Sequence, residues 1–210
     1  METHLRKQIQ AILVSEYRGP RASYGEVDVL KALLAVGNSE GNVGRFKLGK
    51  ITGLGQGEVR TLISRLKDAG LITVDARGSS LTEKGKKKFE TIAQAIPKSL
   101  PIEAPELDLG KSSWFVIVKD RADKVKKGIE QRDAAIRAGA TGAFTVIYSD
   151  GRFVIPGGNA EDGEPIPPSE PWSTIANLSA LKRGDVVIVS GADSNSLAEE
   201  GALAAALTIL

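Results

Sequence analysis

The chain has 210 residues, 41% of them hydrophobic and 26% charged, which is enough apolar material for one large or two small packed domains. With no cysteine and one histidine, His4, it has no disulfide, no thiolate metal site and no thiol nucleophile, so neither a cofactor, a metal nor an enzymatic reaction is expected. The net charge of +2 hides a division: residues 1–96 hold 16 Lys and Arg against 10 Asp and Glu (+6), leaving 12 against 16 (−4) for residues 97–210.

Apolar runs such as Ala11–Val14 are far too short for a bilayer span, so a cytoplasmic protein with no membrane partner is expected. Ser23 and Glu26 stand at capping-box spacing and predict a helix from about Tyr24 to Val36. The stretch NVGRFKLGKITG reads as a shorter helix with Phe46, Leu48 and Ile51 partly buried, closed by Gly53. A tight TGLGQ turn then leads into GQGEVRTLISRLKDAG, Gly55 to Gly70. Here Val59, Leu62, Ile63 and Leu66 make one apolar stripe, and Gln56, Arg60, Thr61, Ser64 and Lys67 occupy the other face. Two short helices, a glycine-bearing turn and a third helix are the helix-turn-helix order.

The segment after Gly70 predicts a two-stranded wing with its tip at Ala76–Ser80 and the cationic Arg77 on that tip. From Thr82 the chain turns helical again, and Phe89, Ile92, Ala93 and Ile96 form a narrow stripe that packs either on its own domain or on a second subunit; Phe89, Ile92 and Ile96 are the first candidates for a homodimer interface. The lysines of KGKKKF, Lys84 to Phe89, read either as phosphate contacts or as a solvated helix face. Pro97 to Gly110, with three prolines and no alternation, reads as a linker.

Beyond the linker, strands alternate with helices. SSWFVIVKD and GDVVIVS fit buried strands, Asp150 and Gly151 make a hairpin turn, Gly157 to Pro171 is a long loop, and STIANLSAL is a short helix. A last helix is expected with Ser196 and Glu199 as its cap. The fold class is therefore mixed α/β and α+β: a winged helix-turn-helix domain over 1–96, a linker over 97–110, and an α/β domain with a mostly buried sheet over 111–210.

Two places in the second domain suggest a small anionic effector. On the helix IEQRDAAI, the face of Ile129, Ile136 and Ala140 also holds Arg132 and Asp133, so two charges are expected to point inward, as an ion pair or as part of a ligand site. SGADSNS, with Ser190, Ser194 and Ser196, lies between a strand and a helix start, where amides and the helix dipole favour an anion. A ligand bridging the two segments is expected, at the strand ends of an open sheet.

GRFKLGKITGLGQGEVRTLISRLKDAGLI, followed by LTEKG, resembles winged helix-turn-helix transcriptional regulators, and the whole chain is similar to an archaeal group in which such a domain precedes an uncharacterised α/β domain with motifs like GIEQRDAAIRAGATGA. The resemblance implies a recognition helix from Gly55 to Ala69 acting on double-stranded DNA. Arg60 and Gln56 would then contact base edges, Thr61, Ser64 and Lys67 would contact bases or phosphates, and Arg77 would sit on the wing. Arg45, Lys47 and Lys50 flank the turn, where they suit phosphate contacts; Glu58 opposes them, and Arg65 borders the buried stripe. The rival readings are a protein-interaction scaffold that uses the winged helix for protein contacts, and an enzyme acting on an anionic metabolite through the second domain.

Overall fold

The computed structural model describes residues 4–13, 24–157 and 163–210. The chain forms two compact units, Met1–Ala93 and Gln94–Leu210. The architecture is mixed α/β, with helices dominating the first unit and a six-stranded sheet dominating the second.

The first unit runs α1 (His4–Leu13), α2 (Glu26–Gly37), α3 (Arg45–Thr52), α4 (Gln56–Asp68), β1 (Ile72–Asp75), β2 (Gly78–Leu81) and α5 (Glu83–Ala95). Of the expected α4 stripe, Val59, Leu62 and Leu66 are wholly buried, each contributing about 1.5–3 kcal/mol, while Ile63 is half-buried at the stripe's margin. Between α3 and α4 the chain turns on Gly53, whose left-handed φ of 79° ends α3. β1 and β2 pair antiparallel, and Val43, just before α3, bridges Ser79 through backbone bonds of 2.8 and 2.9 Å. Of the four helices before the hairpin, α2, α3 and α4, followed by a hairpin that a pre-helix residue ties back to the bundle, make the winged helix-turn-helix arrangement.

Several local expectations change. Ser23 lies outside the described residues; α2 begins after Gly25, whose N–H donates to the Asp28 carboxylate over 2.8 Å. Phe46 is 66% exposed. It stands two residues, about 200° of helical turn, from Leu48, so the two cannot share a face, and Leu48 takes the core position. The wing turns at Ala76 and Arg77, while Ser79 and Ser80 belong to β2. Along the expected stripe, Ile92 of α5 and Ile96 just beyond it are buried, and Phe89, half-buried, lies against Gly37. Three of the run's four lysines are engaged within the chain: Lys84 donates to the Ala69 carbonyl (2.8 Å), Lys86 pairs with Glu83 (2.7 Å) and Lys88 bonds Gln8.

The second unit runs β3 (Lys98–Ile102), β4 (Ser112–Val118), α6 (Ile129–Arg137), β5 (Gly142–Ser149), β6 (Arg152–Ile155), β7 (Glu164–Pro165), α7 (Glu170–Leu178), β8 (Val186–Ala192) and α8 (Asn195–Leu207). The sheet order is β3-β4-β8-β5-β6-β7 and every neighbouring pair is antiparallel. The segment expected as a linker is thus partly an edge strand: Lys98–Ile102 pairs with β4, and Pro101 is tolerated there because an edge needs only half its ladder donors. The expected Asp150–Gly151 turn joins β5 to β6, with Ser149 opposite Arg152 and positive φ at both turn residues (50° and 81°). Residues 158–162 of the expected long loop lie outside the described residues.

β8, last in sequence, fills the gap between β4 and β5, and all seven of its residues are buried. One sheet face packs Phe115, Ile117, Val146, Val187 and Val189 against Trp172 and Ile175 of α7. The opposite face carries α6 and α8, and Gly201 of α8 approaches Ser190 so closely that a Cβ there would stand 2.5 Å from the hydroxyl. At the β4–β8 end, the buried Asp185 carboxylate pairs with Lys119 and accepts from the backbone N–H groups of Lys182 (2.7 Å) and Asp120 (3.1 Å), fastening two loops.

Candidate nucleic-acid interface

Arg45 on α3, Arg60 on α4 and Arg77 on the wing line one open cleft of about 500 Å³, together with Ile63, Val74 and Asp75. All three arginines are exposed, and three separate elements bring them to one surface. Gln56, Arg60, Ser64 and Lys67 share one face of α4 by helical spacing, extending about 16 Å from Gln56 to Lys67. Gln56 lies across Gly49 of α3, and Lys47 and Lys50 are exposed on α3 itself. These placements leave a rod-like face with cations along both sides.

The hydroxyl residues are less open than their spacing suggests. Thr61 is exposed but donates to the Gly57 carbonyl over 3.1 Å; Ser64 is half-buried and points along the helix toward Asp68, 3.5 Å away. Glu58 does not confront the outer face: its carboxylate turns back to accept from the Gly55 N–H over 2.8 Å, satisfying an orphan amide at the start of α4. Arg65 points inward, bonded to the Leu13 carbonyl and stacked over the Tyr24 ring at 5.5 Å, so it belongs to the fold and not to the surface.

An acid and an exposed aromatic ring also stand on this surface. Asp75 sits among the cations, bonded to Arg77 (3.0 Å), to the Arg77 N–H and to the Asn42 amide (2.8 Å each). Those donors hold its carboxyl below the usual range, led by the Arg77 N–H and then the Arg77 side chain. Phe46 projects beside Lys50, whose ammonium lies 4.9 Å from the ring centre. Only the pairing of Asn42 and the wing, distant in sequence, could have disclosed the first; the 200° spacing from Leu48 discloses the second.

The anionic-effector residues do not form one site. Gln131, at the start of α6, bonds Thr208 beyond the end of α8, and Leu197, in the first turn of α8, meets Gly139 beyond the end of α6. The two helices are therefore antiparallel, and Arg132 stands at the opposite end of α8 from Ser194 and Ser196, roughly 20 Å away along a 13-residue helix. Arg132 and Asp133 face outward, paired with each other over 3.0 Å; Gln131 and Ala135 take the buried positions instead. Ser190 is buried under α8 and donates to the Gly142 carbonyl (3.2 Å), Ser194 is the cap of α8, and Ser196 stands within that helix. In a wholly antiparallel sheet the carboxyl ends of neighbouring strands lie at opposite ends of the sheet, so the ligand rule for parallel sheets has no footing here.

Among the described residues, no group of three or more His, Asp or Glu could hold a metal ion, and no helix is long and apolar enough to cross a membrane.

Residues 109–209 match the family model described as a domain of unknown function (DUF4443). Among solved structures, the chain is similar to one titled "Hypothetical protein PH0730 from Pyrococcus horikoshii OT3", with 26% identity, 89% of this chain and 92% of that chain covered, and a TM-score of 0.71. The expected archaeal resemblance thus has a structural counterpart, and neither description names a regulator. No curated protein matches the chain.

Proposed function

We propose that this chain is a sequence-specific DNA-binding transcriptional regulator, in which α4 enters the major groove of double-stranded DNA and the second unit serves assembly. The observation that carries this reading is the convergence of Arg45, Arg60 and Arg77, from three elements, on one cleft beside the exposed face of α4. Guanidinium groups suit both phosphate oxygens and the O6/N7 edge of guanine. A helix whose outer face carries Gln56, Arg60 and Lys67 matches a groove lined by acceptors better than it matches solvent alone. Arg60 and Gln56 read base edges; Arg45, Lys47, Lys50 and Arg77 hold phosphates.

The test is fluorescence anisotropy with duplexes selected from a random library, titrated at several salt concentrations. Binding that weakens linearly in log–log form with salt, and that prefers selected over scrambled duplexes, is expected. Arg60→Ala should cost about 1–3 kcal/mol and relax preference at one base position. Equal binding to selected and scrambled duplexes removes sequence specificity, and no binding at low salt removes the DNA reading.

A further inference from the structure

The outer face of α6 is amphipathic in reverse. Ile129 and Ile136, one heptad apart, are 46% and 47% exposed, while the polar Gln131 occupies the buried side. Leu197 of α8, 41% exposed, lies beside Gly139 just beyond the end of α6 and extends the apolar strip. At 100° per residue, Arg132 and Asp133 fall about 50° to either side of the line joining the two isoleucines, at nearly the same height. They are bonded to each other over 3.0 Å and half-exposed.

We propose that this face binds a second copy of itself, the two α6 helices lying parallel about a two-fold axis. Such an axis keeps heights and exchanges flanks. Ile129 then meets Ile129 of the second copy, Ile136 meets Ile136, and Arg132 on each edge meets Asp133 of the other chain. An antiparallel pairing keeps the flanks instead, setting Arg132 against Arg132 and Asp133 against Asp133, so the charge pattern selects the parallel form. Docking removes apolar side chains from water and replaces one adjacent ion pair per chain with a four-charge ring. The surface belongs to the second unit and stands independently of the DNA reading.

The full chain decides the matter in sedimentation equilibrium. A dimer is expected, with Ile136→Glu raising the dissociation constant at least about tenfold. Arg132→Asp and Asp133→Arg should each weaken association, and the double exchange should restore it, because the exchanged flanks are again complementary. These positions are exposed, so unchanged thermal midpoints verify folding. The chain has no native cysteine; Ile136→Cys therefore provides a single thiol, and mild oxidation should link two copies, since facing residues of a parallel pair fall within disulfide reach. A monomer at about 100 µM, far above useful dimer affinities, overturns the proposal. So does a dimer indifferent to Ile136→Glu, or one that the double exchange fails to restore.

Discussion

The Gln131 side-chain amide donates to the Thr208 hydroxyl over 2.6 Å, joining the start of α6 to the residue that closes α8. Gln131 is buried and Thr208 half-buried, and the Gln131 carbonyl oxygen is buried without a protein partner. Thr208→Val leaves the amide buried and unpaired and should lower stability by about 1–3 kcal/mol in urea unfolding. Combining it with Gln131→Leu removes both orphaned groups and should cost clearly less than the sum of the single changes. Strict additivity would show that the bond does not couple the helices.

Asp28 gives the first unit a pH dependence of definite sign. Burial raises its carboxyl above the ordinary 3.8, more than the Gly25 N–H and Lys31 lower it, and Glu58 adds to the rise. The folded state therefore binds more protons than the unfolded state between that value and the raised one. The stabilisation from this group is full below pH 3.8 and is lost as pH climbs through the folded value. Asp28→Asn keeps an oxygen to accept from Gly25 and removes the titration. Its stability relative to wild type should rise as pH climbs from 3.8 through the raised folded value; parallel pH profiles would contradict this.

Asp75 is the one carboxylate among the residues that line the cleft with the three arginines. Asp75→Asn keeps an acceptor for the Arg77 and Gly78 N–H groups while removing charge and freeing the guanidinium. Under the DNA reading, affinity should rise roughly twofold to fivefold, the size of an exposed charge interaction. Because the carboxyl is held below its ordinary value, the gain should persist across neutral pH and close only in acid. Weaker binding by the variant would mean that Asp75 orders the wing more than it repels phosphate.

Phe46 and Lys50 separate two kinds of contact on α3. Under the DNA reading, Lys50→Ala should reduce the steepness of the salt dependence by about one, since that reading gives Lys50 a phosphate contact. Phe46→Ala should weaken binding by on the order of 1 kcal/mol through lost apolar and cation–π contact, leaving that steepness unchanged. If both variants alter the slope alike, the aromatic acts only by placing the lysine.

The sequence by itself determined the features that depend on local periodicity and turn chemistry. The α4 stripe of Val59, Leu62 and Leu66, the Gly53 helix end, the Asp150–Gly151 hairpin and the buried β8 all follow from residues within a few positions of one another. It also determined which half carries the positive charge. Tertiary structure decided which side of an amphipathic helix is covered. The isoleucines of α6 look like a core stripe, yet Ala135 and Gln131 face inward, because α6 lies close beside α8, where Gly201 and Ala140 leave room only for small or bonded groups. Periodicity marks a face without naming its partner. Likewise, nothing near Asn42 announces the wing, and nothing in β8 announces that the last strand inserts between β4 and β5. Strand order and the meeting of Arg45, Arg60 and Arg77 are set by long-range packing, where hydrogen-bond ladders and side-chain volumes must close together over residues far apart in the chain.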